Sequence, residues 1–451
     1  MIHKFTQNGY YIVLDVNSGA VFELDRCAYE MLDYIKPGIA DECPQELYNL
    51  LRDFPEETVK ETYGEIKELI DRRILFSTDD YEPFVESLGT APVKSMCLNI
   101  AHNCNLRCGY CFASQGDFGH GKKLMSYEVG KKAIDFLVAS SAGRKNLEVD
   151  FFGGEPLMNF DTVKRLVAYA RSLEKEHNKN FRFTITTNGL LLDKDKIDFI
   201  NKEMSNVVLS IDGRQEINDR YRINAQGAGC YETIVPKFKQ LVEERGDKEY
   251  YVRGTYTRHN TDFSKDVEHL FSLGFDQVSI EPAVTDEDYE YSITEKELPA
   301  IFEEYEHLAK IMLEHKRKGD KLNFFHFMLD LDQGPCVYKR LRGCSCGNEY
   351  IAVTPEGDIY PCHQFVGIDE KKMGSVLDGS FNQELKEDFA TATVYSKEEC
   401  KNCWAKFYCS GGCNANNYLY EGSIRKPHKI SCEIERKRLE CAIMIKVALD
   451  E

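Results

Sequence analysis

Cys104, Cys108 and Cys111 stand in the run CNLRCGYC, a CxxxCxxC triplet with an aromatic residue, Tyr110, just before its third cysteine. Three thiolates at this spacing can ligate three irons of a cubane 4Fe–4S cluster and leave the fourth iron without a local protein ligand. An iron with an open position can bind a substrate or cofactor instead of only passing electrons. The competing chemistry is zinc or plain burial. Zinc sites usually pair one CxxC with a second CxxC or with two histidines, and nothing near Cys111 supplies that pair. A second concentration of thiols lies toward the other end: only Cys230 falls between Cys111 and Cys336, whereas ten cysteines fall from Cys336 to Cys441. Cys344 and Cys346 precede the hairpin-like run YIAVTPEGDIYPC, which contains Gly357 and ends at Cys362. Cys400, Cys403, Cys409 and Cys413 follow as Cx2Cx5Cx3C, and then Cys432. Because CxxC is also zinc chemistry, a multi-zinc module is the alternative for this stretch.

These groups need a scaffold, and the 451 residues suffice for two or three domains. Hydrophobic residues at 42% can fill a sizeable core. No apolar run is long enough to span a membrane, and MIHKFTQNGYY lacks the basic and apolar regions of a secretory signal. The expected location is cytoplasmic, where seventeen cysteines point to metal or catalytic roles more than to disulfides. A net charge of −18 argues against nucleic acid as a partner.

Strands are expected at 96–101, 147–152, 181–187, 206–211, 249–257 and 276–281, with amphipathic helix-length segments such as 127–140, 161–175 and 230–245 between them. Repeated β-α units predict an α/β fold with a parallel sheet and helices outside. Reacting groups in such barrels sit at the C-terminal ends of strands, and the cysteine triplet directly follows the first one. Residues 1–85 read as a separate module: YYIVLDVNSGAVFEL gives two strands about the Asn17-Ser18-Gly19 turn, with helical segments near 25–34, 44–53 and 57–72. Cys27, Cys43, Cys97, Cys230 and Cys441 read as small core residues, and His102 as a packing group.

The CxxxCxΦC run, with Φ aromatic, resembles the radical S-adenosylmethionine (SAM) enzymes. The resemblance implies that the open iron is chelated by the amino and carboxylate groups of SAM, which an electron cleaves to a 5′-deoxyadenosyl radical. Smaller motifs continue in the family's order at expected strand ends. Gly153-Gly154-Glu155-Pro156 is a tight turn on its own, and here resembles the motif that meets the SAM amino group; Glu155 binds that amine or shapes the turn. Thr186-Thr187-Asn188-Gly189 ends the third strand, where the family presents polar groups. Ser210 and Asp212 in SIDG are then candidates for the SAM ribose, and Arg222 for its carboxylate, a bidentate match. The architecture implied is a partial (β/α)6 barrel at 86–320, a winged-helix-like module at 1–85 that captures a leader peptide on a hairpin edge, and a cysteine-rich domain at 321–451.

That last domain resembles SPASM, which carries two auxiliary 4Fe–4S clusters, making three with the triplet. The resemblance assigns Cys344, Cys362 and Cys413 to the first auxiliary cluster, and Cys400, Cys403, Cys409 and Cys432 to the second. Cys346 also has workable spacing in place of Cys344. Seven thiols leave the first cluster one ligand short, a place for Cys336, Cys346 or a substrate thiolate, of which the substrate thiolate is expected. The run CSCGNEYIAVTPEGDIYPCHQFVG is close to that of the maturases of small ribosomally made SCIFF ("six cysteines in forty-five") peptides. These join a cysteine sulfur to a threonine carbon as a thioether. The implied partners are a Cys-rich precursor peptide with its leader and a low-potential electron donor such as a flavodoxin or ferredoxin. A sulfatase-type formylglycine maturase is the nearest rival reading, and a non-catalytic electron-transfer or zinc-scaffold protein the more distant one.

Overall fold

A computed structural model describes residues 1–85, 87–286, 288–331 and 337–450. The chain opens with a three-stranded antiparallel sheet of β1 (Ile2–Gln7), β2 (Tyr10–Asp15) and β3 (Val21–Leu24) in that order. The strand pair β2–β3 is the expected hairpin. β1 is an addition, joined to β2 through Asn8 and Gly9, whose φ values of 53° and 92° suit a two-residue hairpin turn. Helices Arg26–Met31, Gln45–Leu50 and Glu56–Asp71 follow. Met31, Val59, Tyr63 and Ile66 close a small core against Val13 of the sheet.

The parallel strands come next: β4 (Ser95–His102), a short β5 (Lys123–Leu124) antiparallel to it, β6 (Asn146–Gly153), β7 (Asn180–Thr187), β8 (Asn206–Ser210), β9 (Tyr250–Tyr256), β10 (Gln277–Pro282) and the edge piece β11 (Asn323–Phe324). The six long strands agree with the expected ones within two residues. They are ordered β4-β6-β7-β8-β9-β10-β11. Helices such as Tyr127–Ser140, Phe160–His177 and Tyr231–Arg245 cover the outer face. The period of two divides each strand between helix side and lumen. On β7, Phe181, Phe183 and Ile185 are buried, while Arg182, Thr184 and Thr186 alternate with them on the opposite face.

No break in hydrogen bonding falls at the boundary expected near residue 320. β12 (Tyr350–Val353) pairs parallel with β4, with Ile351 opposite Met96 and Ala352 opposite Cys97. The sheet then runs on through β13 (Asp358–Tyr360), β14 (Gly374–Ser375) and β15 (Ser380–Phe381). β4 thus lies between β6 and β12 and is buried along its whole length. The final helix, Lys429–Asp450, leaves the cysteine-rich region and packs on helix Leu298–Lys318 and the N-terminal sheet. There Gln7 Nε2 donates to Cys441 Sγ at 3.1 Å. Cys27, Cys97, Cys230 and Cys441 are buried and Cys43 is half-buried, as small core residues would be. Among the described residues no helix is long and apolar enough to cross a membrane.

Candidate active site

The triplet lies on the loop after β4, where the chain leaves the central strand. Two clips fix its path: Arg107 N donates to Ile223 O at 2.7 Å, and Gly109 N to Tyr221 O at 3.3 Å. Leu106 is buried beneath the loop, and its N–H points at Cys104 Sγ at 3.4 Å, a donor suited to a thiolate. Arg107 folds back on the carbonyls of Cys104 and Leu106. Cys111 is close enough to raise the pKa of both Cys104 and Cys108. Burial, the larger cause, pushes Cys104 up to about 11 and Cys108 up to about 12. Thiols held in this way are ionised by metal, with release of their protons.

The Gly153-Gly154-Glu155-Pro156 turn is knitted to this loop. Gly154 N donates to Ala101 O at 2.7 Å and Glu155 N to Asn103 O at 2.9 Å. A Cβ on Gly154 would stand 2.3 Å from Asn103 O, and one on Gly116 would stand 2.6 Å from Cys104 Cβ. Glycine is therefore required for the strands and loop to approach so closely. Glu155 does not reach the cavity. Its oxygens accept from Leu157 N, Thr187 Oγ1 and Asn188 N at 2.8–3.0 Å, so of its two expected roles the geometry favours shaping the turn. Burial pushes its carboxyl up to about 7, with the three donors opposing. Asn188 is held in turn, its Nδ2 on Asn105 Oδ1 at 2.8 Å and 3.7 Å from Cys104 Sγ.

Asp212 also departs from expectation. It was expected beside Ser210 at a ribose, but it is fully buried and does not line the cavity. It accepts from Tyr110 Oη and from Thr255 N, and pairs with Arg222 at 3.0 Å. Asp212 thus anchors two other expected groups. Arg222 lies 5.7 Å over the Tyr110 ring, and the Tyr110 ring packs 5.5 Å from that of Tyr221. Ser210 and Arg222 do face the cavity.

That cavity, of about 290 Å³, gathers Cys104, Cys108, Tyr110, Cys111, Gly153, Gly154, Asn188, Ser210 and Arg222 on its wall. Its other wall was not anticipated: Arg253 of β9 and Glu281 of β10 face each other as an ion pair, and His363, Gln364 and Asn416 come from the cysteine-rich region. Burial opposes charge on Glu281, but Arg253, His326 and Arg438 together hold it down to about 2. The His363 ring lies tilted against those of Phe152 and Phe112, at 4.9 and 5.5 Å, and its Nδ1 is 3.4 Å from Tyr350 Oη. Burial drives its pKa down to about 4. Its place beside Cys362 was the available signal. Arg253 and Glu281 could have been found from lumen-facing parity on neighbouring strands.

The C-terminal cysteines form two sets. Cys400, Cys403, Cys409 and Cys432 all line one cavity of about 40 Å³. The set assigned to the second auxiliary cluster is thus gathered around one void. The second set holds Cys344, Cys362 and Cys413 together with Cys346, which was expected to stand outside it. Cys346 is buried and contacts both Cys344 and Cys362, with Cys413 near enough to raise its pKa further. The cause is local backbone: Ser345 and Gly347 both take left-handed φ, 54° and 74°, which folds Cys346 back beside Cys344. Cys336 lies outside the described residues.

Residues 98–269 match the radical SAM superfamily, and residues 344–404 match the iron–sulfur cluster-binding domain SPASM. The cysteine-type anaerobic sulfatase-maturating enzyme of Clostridium novyi (strain NT) is 25% identical over 345 residues, 72% of this chain and 89% of that protein. Among solved structures, native anSMEcpe with bound AdoMet and Kp18Cys peptide superposes at a TM-score of 0.66 and 21% identity, covering 80% of this chain and 100% of that one. Streptococcus suis SuiB bound to precursor peptide SuiA superposes at 0.54 and 16% identity, covering 95% and 98%. These structural likenesses establish the fold. The chain therefore carries a radical SAM domain and an iron–sulfur cluster-binding SPASM domain, joined through one sheet.

Proposed function

We propose that the protein installs a thioether, from a cysteine sulfur to the carbon of a threonine or other residue, in a small Cys-rich ribosomally made peptide. One observation carries the reading: a single cavity has the triplet and SAM-side groups on one wall and residues of the SPASM motif on the other. A substrate in it lies between two iron–sulfur sites. In this reading Cys104, Cys108 and Cys111 hold one cluster, and Gly153, Gly154, Asn188, Ser210 and Arg222 line the SAM subsite. When bound, SAM and the reduced cluster supply a carbon-centred radical that removes a hydrogen atom from an unactivated carbon. The protein's part is placement and dryness: Phe112, Phe152 and Val284 exclude water from the reacting carbon. Arg253 and Glu281 give the peptide polar partners on the far side. The C-terminal thiols hold two further clusters, so that three are carried in all, and a flavodoxin or ferredoxin supplies electrons. The three-stranded N-terminal sheet takes the leader as an added strand.

A second reading, oxidation to formylglycine as in sulfatase maturases, is favoured by two observations. Cys346 supplies an eighth thiol to the C-terminal sets, which gives a closed relay cluster in place of one open to a substrate thiolate. His363 also puts an imidazole in the cavity, where an oxidase needs a proton acceptor. Incubation of the reduced enzyme with SAM and a Cys-rich precursor, followed by mass spectrometry, separates the two. A thioether lowers the peptide mass by two hydrogens, keeps the sulfur and removes one alkylatable thiol. Loss of the sulfur and gain of a hydrazine-reactive aldehyde refutes the thioether reading.

A further inference from the structure

We infer that the N-terminal module is the outer shell of the second auxiliary site, with Asp79 fixing the charge and position of the loop that carries Cys400 and Cys403. The inference rests on the proposal that Cys400, Cys403, Cys409 and Cys432 hold a cluster. The stretch between Cys400 and Cys409 is held at three points, each from the first 82 residues. Lys401 Nζ pairs with Glu82 Oε1 at 2.6 Å. Lys406 is 3% exposed, and its Nζ donates to Asp79 Oδ2 at 2.6 Å and to the carbonyl of Lys401 at 3.3 Å. Trp404, the single tryptophan of the chain, lies flat on His3 of β1, with ring centroids 3.8 Å apart and planes 2° apart. His3 is fixed in turn by Glu440 at 3.0 Å.

Asp79 is the centre of this arrangement. It also accepts from Tyr395 Oη at 2.6 Å, and although burial opposes its charge, Lys406 and Tyr395 outweigh that and keep its pKa low. Lys406 sits between Cys403 and Cys409 and lines the same cavity as the four thiols. Its ammonium would otherwise be an uncompensated buried cation at the cluster. Outer-shell charge and hydrogen bonding set cluster potential. The N-terminal segment is thus a positioning element for metal chemistry as well as a module for peptide.

The test uses the full-length reconstituted protein, with iron, sulfide and midpoint potentials measured for each variant. Cys400→Ser/Cys403→Ser identifies the second auxiliary cluster as the signal that disappears. Asp79→Asn leaves Lys406 uncompensated, which favours the reduced cluster, so the potential of that signal alone moves upward. Asp79→Glu returns it toward the parent. An unmoved potential in Asp79→Asn overturns the inference; no iron loss in the double cysteine variant refutes the cluster assignment beneath it. His3→Ala tests the seam independently of any metal. Trp404 emission shifts to the red as its covering ring is removed, and unchanged emission overturns the seam.

Discussion

Replacing Arg222 by Ala perturbs two things at once, and the structure separates them. Arg222 is buried, pairs with Asp212 at 3.0 Å, and shares that fully buried carboxylate with Tyr110 and Thr255. Removing one partner of a buried pair while leaving the other charged costs about 3–5 kcal/mol of stability. Burial already pushes Asp212 up, and Arg222 is the main force against that, so in Arg222→Ala the carboxyl rises further. Over the pH range between its unfolded and folded pKa the native state then binds one more proton than the unfolded state. Stability of the variant therefore falls as pH rises through that window, by at most about 1.4 kcal/mol per pH unit. Acidification restores part of the loss. Urea unfolding at several pH values measures this. The functional effect is distinct: a lost charge-assisted contact to the SAM carboxylate, about 1.5–3 kcal/mol, weakens SAM binding roughly ten- to 150-fold. Equilibrium binding of SAM to reconstituted enzyme reads it, at a pH where the variant is folded. A folded variant with unchanged SAM affinity removes Arg222 from the cofactor site and leaves it only its structural pairing with Asp212.

Anaerobically reconstituted protein is expected to carry about twelve irons and twelve sulfides, of which Cys104→Ala/Cys108→Ala/Cys111→Ala removes about a third; stoichiometric zinc without sulfide would falsify the cluster assignments. Cys346→Ser is expected to lose about four irons, since its thiol completes a set of four. Full iron retention in that variant restores the open position expected from the ligand count. Deleting residues 1–85 is expected to abolish tight binding of the precursor peptide and, because His3 and Asp79 go with it, to loosen iron at Cys400 and Cys403. Undiminished peptide affinity would leave the module a purely structural cap.

The barrel was legible because its signals are local. Apolar alternation over eight-residue strands such as Asn180–Thr187 and full-length amphipathic helices such as Tyr127–Ser140 depend little on distant parts of the chain. The placing of the triplet, the glycine turn and Ser210 on one cavity wall was legible because motif order puts each at a strand end; Arg222 reaches the same wall from the end of the short helix Gln215–Tyr221. Three features were missed. β1 was readable locally, since Asn8-Gly9 is a two-residue hairpin signal across which it pairs with β2; the other two depend on distant parts of the chain. The continuous sheet depends on β12 finding β4 across most of the chain. The roles of Glu155 and Asp212 turn on which way a carboxylate faces, and spacing alone does not fix that. Cys346 was placed outside the set for a related reason: cysteines two apart share a face of an extended chain but stand about 6.6 Å apart along it, and the left-handed turn at Ser345, between them, folds the two thiols together.

The pairing of β4 with β12 also sets an order of events at the ribosome. The strand that presents the cysteine triplet has one edge open until residues near 350 have been made. The helix that backs the N-terminal sheet, Lys429–Asp450, emerges later still. At roughly 5–20 residues per second, the nascent chain holds an exposed, strongly apolar edge for on the order of ten seconds or more. Unpaired edges of this kind recruit other strands, so a chaperone or assembly factor has a defined target there. Chains cut short before β12 keep that edge of β4 open and lack His363, Gln364 and Asn416 of the far cavity wall.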